Sequence, residues 1–146
     1  MSKLGIAIVG TGMIGAVHRR AALLAGAEVR GVAASSPQRA QEVAQAWNVA
    51  HAYRDIEEVV SDPQVQVVHV CTPNHLHRAM AQAALEAGKH VICEKPLATT
   101  LDDAQALAAL AARTGLVATV PFVYRYHPVV REARARIAQG LSLIHI

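Results

Sequence analysis

Residues 4–15 run Leu4-Gly5-Ile6-Ala7-Ile8-Val9-Gly10-Thr11-Gly12-Met13-Ile14-Gly15, and the fold can be worked outward from them. Positions 4–9 are almost continuously apolar, the pattern of a parallel strand covered on both faces. The run ends in the spacing GxGxxG, and a helix opens directly behind it. The three glycines answer different needs. Gly10 permits the tight turn out of the strand, Gly12 lets a ligand press against bare backbone, and Gly15 lets the helix lie close to the strand. Free N–H groups and the positive end of the helix dipole then face whatever sits over the turn, which suits phosphate oxygens. The spacing alone is a weak match, and a glycine turn without a ligand is the plainer alternative. Between a strand and a helix it marks a pyrophosphate site.

From this turn the chain alternates strands and helices. A helix over 12–25 is closed by Gly26, and a strand over 28–33 follows. Ser36-Pro37 then supplies an N-cap ahead of a proline at the first helical position, opening a helix that runs to Trp47. A short strand at 50–53, a brief helix at 56–60 behind Asp55, and a turn at Asp62-Pro63 lead to an apolar fourth strand over 65–71. Asn74 starts a helix to residue 87, which Gly88 stops, and strand five covers 89–93. Thr100 precedes an Ala/Leu helix over 101–113 that ends at Gly115, and strand six covers 116–120. Right-handed crossovers between these strands predict an α/β fold, a doubly wound parallel sheet in the order 3-2-1-4-5-6. In such a sheet the ligand crevice lies beyond the carboxyl ends of strands one and four, where the strand order reverses.

Composition supports the same class. The chain has 146 residues, enough for one domain with a real core and too few for two of ordinary size. Hydrophobic residues make up 53% but aromatics only 3%, so the apolar mass is Ala, Val, Leu and Ile, which lets helices pack close to a sheet. The net charge of +3 is a mild excess that suits either a phosphate-bearing small ligand or a merely solvated surface. Without an aromatic platform or a dense basic tract, no nucleic acid is expected as partner. Arg131, Arg134 and Arg136 sit on a basic amphipathic helix at 129–139 and read as the solvated face of a docking helix. No apolar run reaches the roughly 18 residues of a membrane span, so no membrane is expected either. The N-terminal apolar stretch is short and broken by glycines, unlike a signal peptide. Cys71 and Cys93 lie far apart inside apolar runs, fit no metal or redox spacing, and read as buried thiols of a reduced, cytoplasmic protein.

Four further groups of residues bear on chemistry. The dinucleotide fingerprint expects a carboxylate near the end of strand two, about 20 residues after the glycines, to hold the ribose hydroxyls. Ala34-Ser35-Ser36 stands there instead, with Arg39 nearby, a set that tolerates or prefers a 2′-phosphate; alternatively Ser36 only caps its helix. Cys71-Thr72-Pro73-Asn74-His75-Leu76-His77 follows strand four at the crevice edge. His75 and His77 are two apart and share no helix face, and no third ligand is near, so no metal is expected. Of the two, His77 is the better candidate for the crevice mouth, and Asn74 could be a cap alone. His69, inside strand four, reads as a core histidine with its hydrogen bonds met. Glu94-Lys95-Pro96 ends strand five at the same edge. A partly desolvated ammonium at Lys95 can hydrogen-bond a substrate oxygen and help move its proton as hydride leaves carbon, with Glu94 pairing or orienting it. A surface ion pair ahead of a loop is the alternative.

Together, GTGMIG (10–15), CTPNHLH (71–77), AGKHVICEKPLA (87–98) and PFVYRYHP (121–128) resemble the glucose–fructose oxidoreductase, inositol dehydrogenase and MocA family, in order and over about residues 4–139. The resemblance implies a two-domain enzyme moving hydride between NAD or NADP and a secondary alcohol, often a sugar or cyclitol, and a homo-oligomer at full length. It places Gly10, Gly12, Met13, Ile14 and Gly15 around the pyrophosphate and Ala34-Ser35 near the adenosine ribose. Thr72, Pro73, Asn74 and His77 would line the cofactor crevice, with Glu94 and Lys95 at the nicotinamide end. Lys95 matches the family's catalytic lysine, and Arg125 matches an arginine near cofactor or substrate. A dinucleotide-sensing subunit without catalysis is the alternative on this fold, and it has no need of Lys95.

The resemblance also sets the domain organisation. Residues 1–121 form the dinucleotide-binding domain, and 122–146 are the crossover segment and start of a truncated substrate domain. Family members continue for a second, open-faced sheet domain that supplies an Asp and a His toward substrate. Residues 141–146 do not resemble that continuation and read as a truncated end.

Overall fold

Strand β1 (Gly5–Val9) is buried at every position and sits at the centre of the sheet. In the computed structural model, which describes residues 3–141, the strands β2 (Glu28–Ala33), β3 (His51–Tyr53), β4 (Val67–Val70), β5 (His90–Cys93) and β6 (Ala118–Thr119) join it. The order is β3-β2-β1-β4-β5-β6, as the alternation of the sequence predicts, and every neighbouring pair is parallel. Val9 lies beside Ala33 on one flank and Val70 on the other, so β1, β2 and β4 finish level at one edge.

Side-chain alternation along β1 explains the layers. Ile6 and Ile8 face α1 (Met13–Leu24) and α2 (Pro37–Trp47), in a core with Ala22, Val32 and Val43. Ala7 and Val9 face the opposite side, where α3 (Ile56–Ser61), α4 (His77–Glu86) and α5 (Leu101–Thr114) contribute Val59, Leu85 and Leu107. Burying a side chain such as Ile8 or Val32 contributes about 1.5–3 kcal/mol, and these two rows are what hold the layers together.

Local signals set the helix ends. Ser36 Oγ accepts from the Arg39 amide at 3.1 Å, with Pro37 behind it at the first helical position. Asp55 does the same for α3 through the Glu58 amide at 2.9 Å, and Thr100 for α5 through the Asp103 amide at 3.2 Å. Three boundaries differ from the sequence reading. The helix expected over 74–87 divides into a 3-10 turn, Asn74–Leu76, and α4, and the Asn74 side chain makes no capping bond. Strand β6 keeps only two residues, both exposed, because it is the sheet's edge and pairs on one side alone. The aromatic segment folds as a second 3-10 turn, Val123–Tyr126, ahead of α6 (Pro128–Ala138), on which no residue is buried. The expectation for residues 141–146 falls, apart from Leu141, outside the described residues.

No helix among the described residues is long and apolar enough to cross a membrane. Cys71 and Cys93 are free and buried. Burial and the Glu94 charge nearby push both thiols up, Cys93 to about 12.

Candidate functional site

The level ends of β1, β2 and β4 open into a crevice of about 660 Å³ that takes in Gly10, Thr11, Gly12, Ala34, Ser35, Arg39, Thr72 and Pro73. The glycines divide as their spacing predicts. Gly10 has φ +96°, and a side chain there would run into the Cys71 carbonyl. A side chain at Gly15 would strike the Gly10 carbonyl, so that glycine seats α1 against the turn. Gly12 has no atom within 4 Å of where its Cβ would stand. It is bare backbone facing open space at the start of α1, where N–H groups lack helical partners. Met13 is exposed and Ile14 packs inward against the first core row.

One polar atom in this crevice wants a partner. Thr72 Oγ1 is buried and has no hydrogen bond, a condition that a ligand hydroxyl or phosphate oxygen would relieve. Bare backbone at Gly12, the helix start and the orphaned hydroxyl together fit a dinucleotide. At the β2 end, Ser35 and Arg39 reach the crevice, while Ser36 is committed to its cap. Arg39 holds Glu42 at 2.9 Å, but both side chains are more than half exposed. A pair of that kind is worth little and leaves the guanidinium free to turn onto a phosphate.

His77 does not stand open at the crevice mouth. It is 1% exposed, with Nε2 2.8 Å from the Thr72 carbonyl oxygen and Nδ1 2.7 Å from that of Pro96. The ring therefore braces the loop after β4 against the loop after β5. Asn74 is exposed. Arg125 is exposed on the turn after β6 and is not part of the crevice wall.

Glu94 is buried just beyond the end of β5. Its carboxylate turns inward rather than toward the Lys95 ammonium. Oε1 lies 3.0 Å from His18 Nε2, Oε2 accepts the Lys95 backbone N–H at 3.0 Å, and His18 Nδ1 lies 3.0 Å from His69 Nδ1. All three side chains are buried. Burial and the neighbouring His18 hold His69 down at about 4, so its ring is neutral and suits the core role expected of it. Lys95 itself is exposed at the crevice edge, beside the cis peptide to Pro96.

No motif or spacing singles out His18. A signal for it exists all the same. With Gly15 and Ala22 it forms the buried stripe of α1, at helical spacing. A polar ring on that stripe needs a buried partner. No group of three His, Cys, Asp or Glu side chains among the described residues converges on one point as metal ligands would.

A glycine turn, a crevice at the strand-order reversal and a lysine at its edge define a dinucleotide-binding domain of the oxidoreductase kind. Residues 4–122 match the model of an oxidoreductase family with an NAD-binding Rossmann fold, and the chain belongs to that family. It is 36% identical to levoglucosan dehydrogenase of Pseudarthrobacter phenanthrenivorans, over 96% of this chain and 38% of that protein. A solved levoglucosan dehydrogenase in complex with NADH and levoglucosan superposes with a TM-score of 0.84 at 35% identity, covering 95% of this chain and 40% of that one. KijD10, a 3-ketoreductase from Actinomadura kijaniata bound to TDP-benzene and NADP, gives 0.85 at 27% identity, covering 96% and 45%. The chain thus spans about two-fifths of the length of these relatives.

Proposed function

We propose that this chain is the cofactor-binding part of a dehydrogenase that exchanges hydride between NAD or NADP and a secondary alcohol of the sugar or cyclitol class. The observation that carries this reading is the shared edge. The crevice with bare Gly12 and orphaned Thr72 Oγ1 opens at the ends of β1, β2 and β4, and β5, paired beside β4, delivers Lys95 to the same edge. A bound nicotinamide supplies the hydride acceptor or donor. The chain's own groups do the rest. The start of α1 takes the phosphates, Thr72 Oγ1 orients the ligand, and the Lys95 ammonium holds the substrate oxygen and moves its proton. Residues 1–121 serve as the binding domain, and 122–146 as the crossover segment and start of a substrate domain. The relatives' named substrates, levoglucosan among them, set the substrate class proposed.

Between the two cofactors, NADP is slightly favoured. Ala34, Ser35 and Ser36 present no carboxylate to repel a 2′-phosphate, and Arg39 stands at the crevice. Calorimetric titration of the chain with each cofactor tests both levels. NADP is expected to bind at least as tightly as NAD. A tenfold preference for NAD, about 1.4 kcal/mol, removes the NADP assignment, and no binding by either removes the functional reading.

A further inference from the structure

His18 belongs to the helix that opens at the phosphate turn, yet its side chain ends on the residue next to Lys95. Its Nε2 is 3.0 Å from Glu94 Oε1, and the other oxygen of that carboxylate accepts the Lys95 N–H at 3.0 Å. The far side of the ring rests on His69 Nδ1 in β4, also at 3.0 Å. Both His18 and Glu94 are buried, so water does not compete for these contacts. Beyond Lys95, the Pro96 carbonyl oxygen lies 2.7 Å from His77 Nδ1. The Lys95-Pro96 segment is thus held at the Lys95 N–H and at the Pro96 carbonyl by buried side chains, one of which reaches back to α1.

We propose that His18 is a positioning residue: through Glu94 it ties the helix that takes the dinucleotide phosphates to the peptide that carries Lys95, so that phosphate binding sets the placement of the lysine. This rests on the dinucleotide-binding reading above and adds a coupling within that site. A ligand that settles at the start of α1 shifts or stiffens the helix. The helix carries His18, and His18 is bonded to a carboxylate whose second oxygen holds the lysine's own amide. The link needs a donor at the Nε2 position and nothing else of the imidazole. A glutamine at 18, which offers an N–H at similar reach, keeps it, whereas leucine cuts it and destabilises the buried carboxylate.

Spatial intermediacy alone does not establish coupling, so the test reads both ends at once. The chain is labelled with ¹⁵N and titrated with ADP, which carries the diphosphate but no nicotinamide to touch Lys95 directly. In the wild type, the Gly12 and Gly15 amides shift, the Lys95 amide shifts with the same saturation curve, and its hydrogen exchange slows at least threefold. In His18→Leu the Gly12 and Gly15 response remains and the Lys95 response is lost; in His18→Gln both remain. If Lys95 responds in His18→Leu as in the wild type, the coupling runs elsewhere and the proposal is overturned. Should His18→Leu not fold, the wild type decides: saturation at Gly12 with a silent Lys95 amide overturns it equally. No ADP effect at Gly12 in the wild type instead overturns the binding reading, and the coupling falls with it.

Discussion

His77 and Pro96 are fastened to each other across 19 positions of chain, ring nitrogen to carbonyl oxygen at 2.7 Å. The other nitrogen of the same ring lies 2.8 Å from the Thr72 carbonyl oxygen, so one side chain sets the spacing of the two loops that bound the crevice. Removing it takes the N–H donor from a buried carbonyl and leaves a hole where a fully buried ring stood. His77→Ala is therefore expected to cost about 2–4 kcal/mol in urea unfolding and to weaken dinucleotide binding as well. A loss under 1 kcal/mol would show that the brace is dispensable.

Gly12 and Gly15 are three residues apart and should fail in opposite ways. Gly12→Ala places a methyl in open space, so stability should stay within about 0.5 kcal/mol while dinucleotide affinity drops tenfold or more. Gly15→Ala drives a methyl into the Gly10 carbonyl and should cost about 1–3 kcal/mol of stability. Thermal unfolding and calorimetric titration of the two variants, side by side, check the reversal.

Cofactor choice should answer to the β2 end of the crevice. Ser35→Asp puts a carboxylate where a ribose hydroxyl would be held and should tilt the NADP:NAD affinity ratio toward NAD by about tenfold, or about 1.4 kcal/mol. Arg39→Ala should weaken NADP and leave NAD unchanged. A ratio untouched by both substitutions would put the 2′-position elsewhere.

Stability should fall in mild acid because of His69. Its ring titrates at about 4 in the folded protein against 6.5 as the ordinary value. Below 6.5 the unfolded chain takes up a proton that the folded one refuses, so the stabilisation is complete above that pH and lost as pH falls toward 4. The loss is of order 3 kcal/mol. Urea unfolding at pH 7 and pH 4.5 should show it, and His69→Gln should flatten the difference.

The role given to Lys95 is separable from the fold, since its ammonium makes no ion pair among the described residues. Lys95→Ala should leave unfolding and dinucleotide affinity nearly unchanged. In a full-length enzyme, the same substitution should lower turnover by roughly 10² to 10⁴. The 146 residues alone should bind dinucleotide yet reduce none of it with sugars or cyclitols. Turnover of the full-length Lys95→Ala variant within threefold of wild type would leave Lys95 no part in the chemistry.

The fold was legible because its periodicity is strong. Apolar runs such as 65–71 and glycines at 10, 12 and 15 leave little choice of period, and the handedness of crossovers then orders the sheet. Boundaries blurred where tertiary context decides, as at Asn74, where a 3-10 turn displaced the expected cap. The crevice residues were legible as a set, but direction was not. Motif position puts Glu94 and His77 at the crevice edge, and only packing shows that both side chains turn away from it. His18 stayed hidden because its partners lie 51 and 76 positions distant.

Cys71 closes the β4 side of the crevice and Cys93 ends β5, and both thiols are buried and held protonated. Only an exposed thiolate reacts with an alkylating reagent. Each sulfur is therefore a clock that ticks when its strand end parts from the sheet, Cys71 just past β4 and Cys93 at the end of the neighbouring β5. Read by mass spectrometry, the alkylation rates at 71 and 93 time the opening of the crevice.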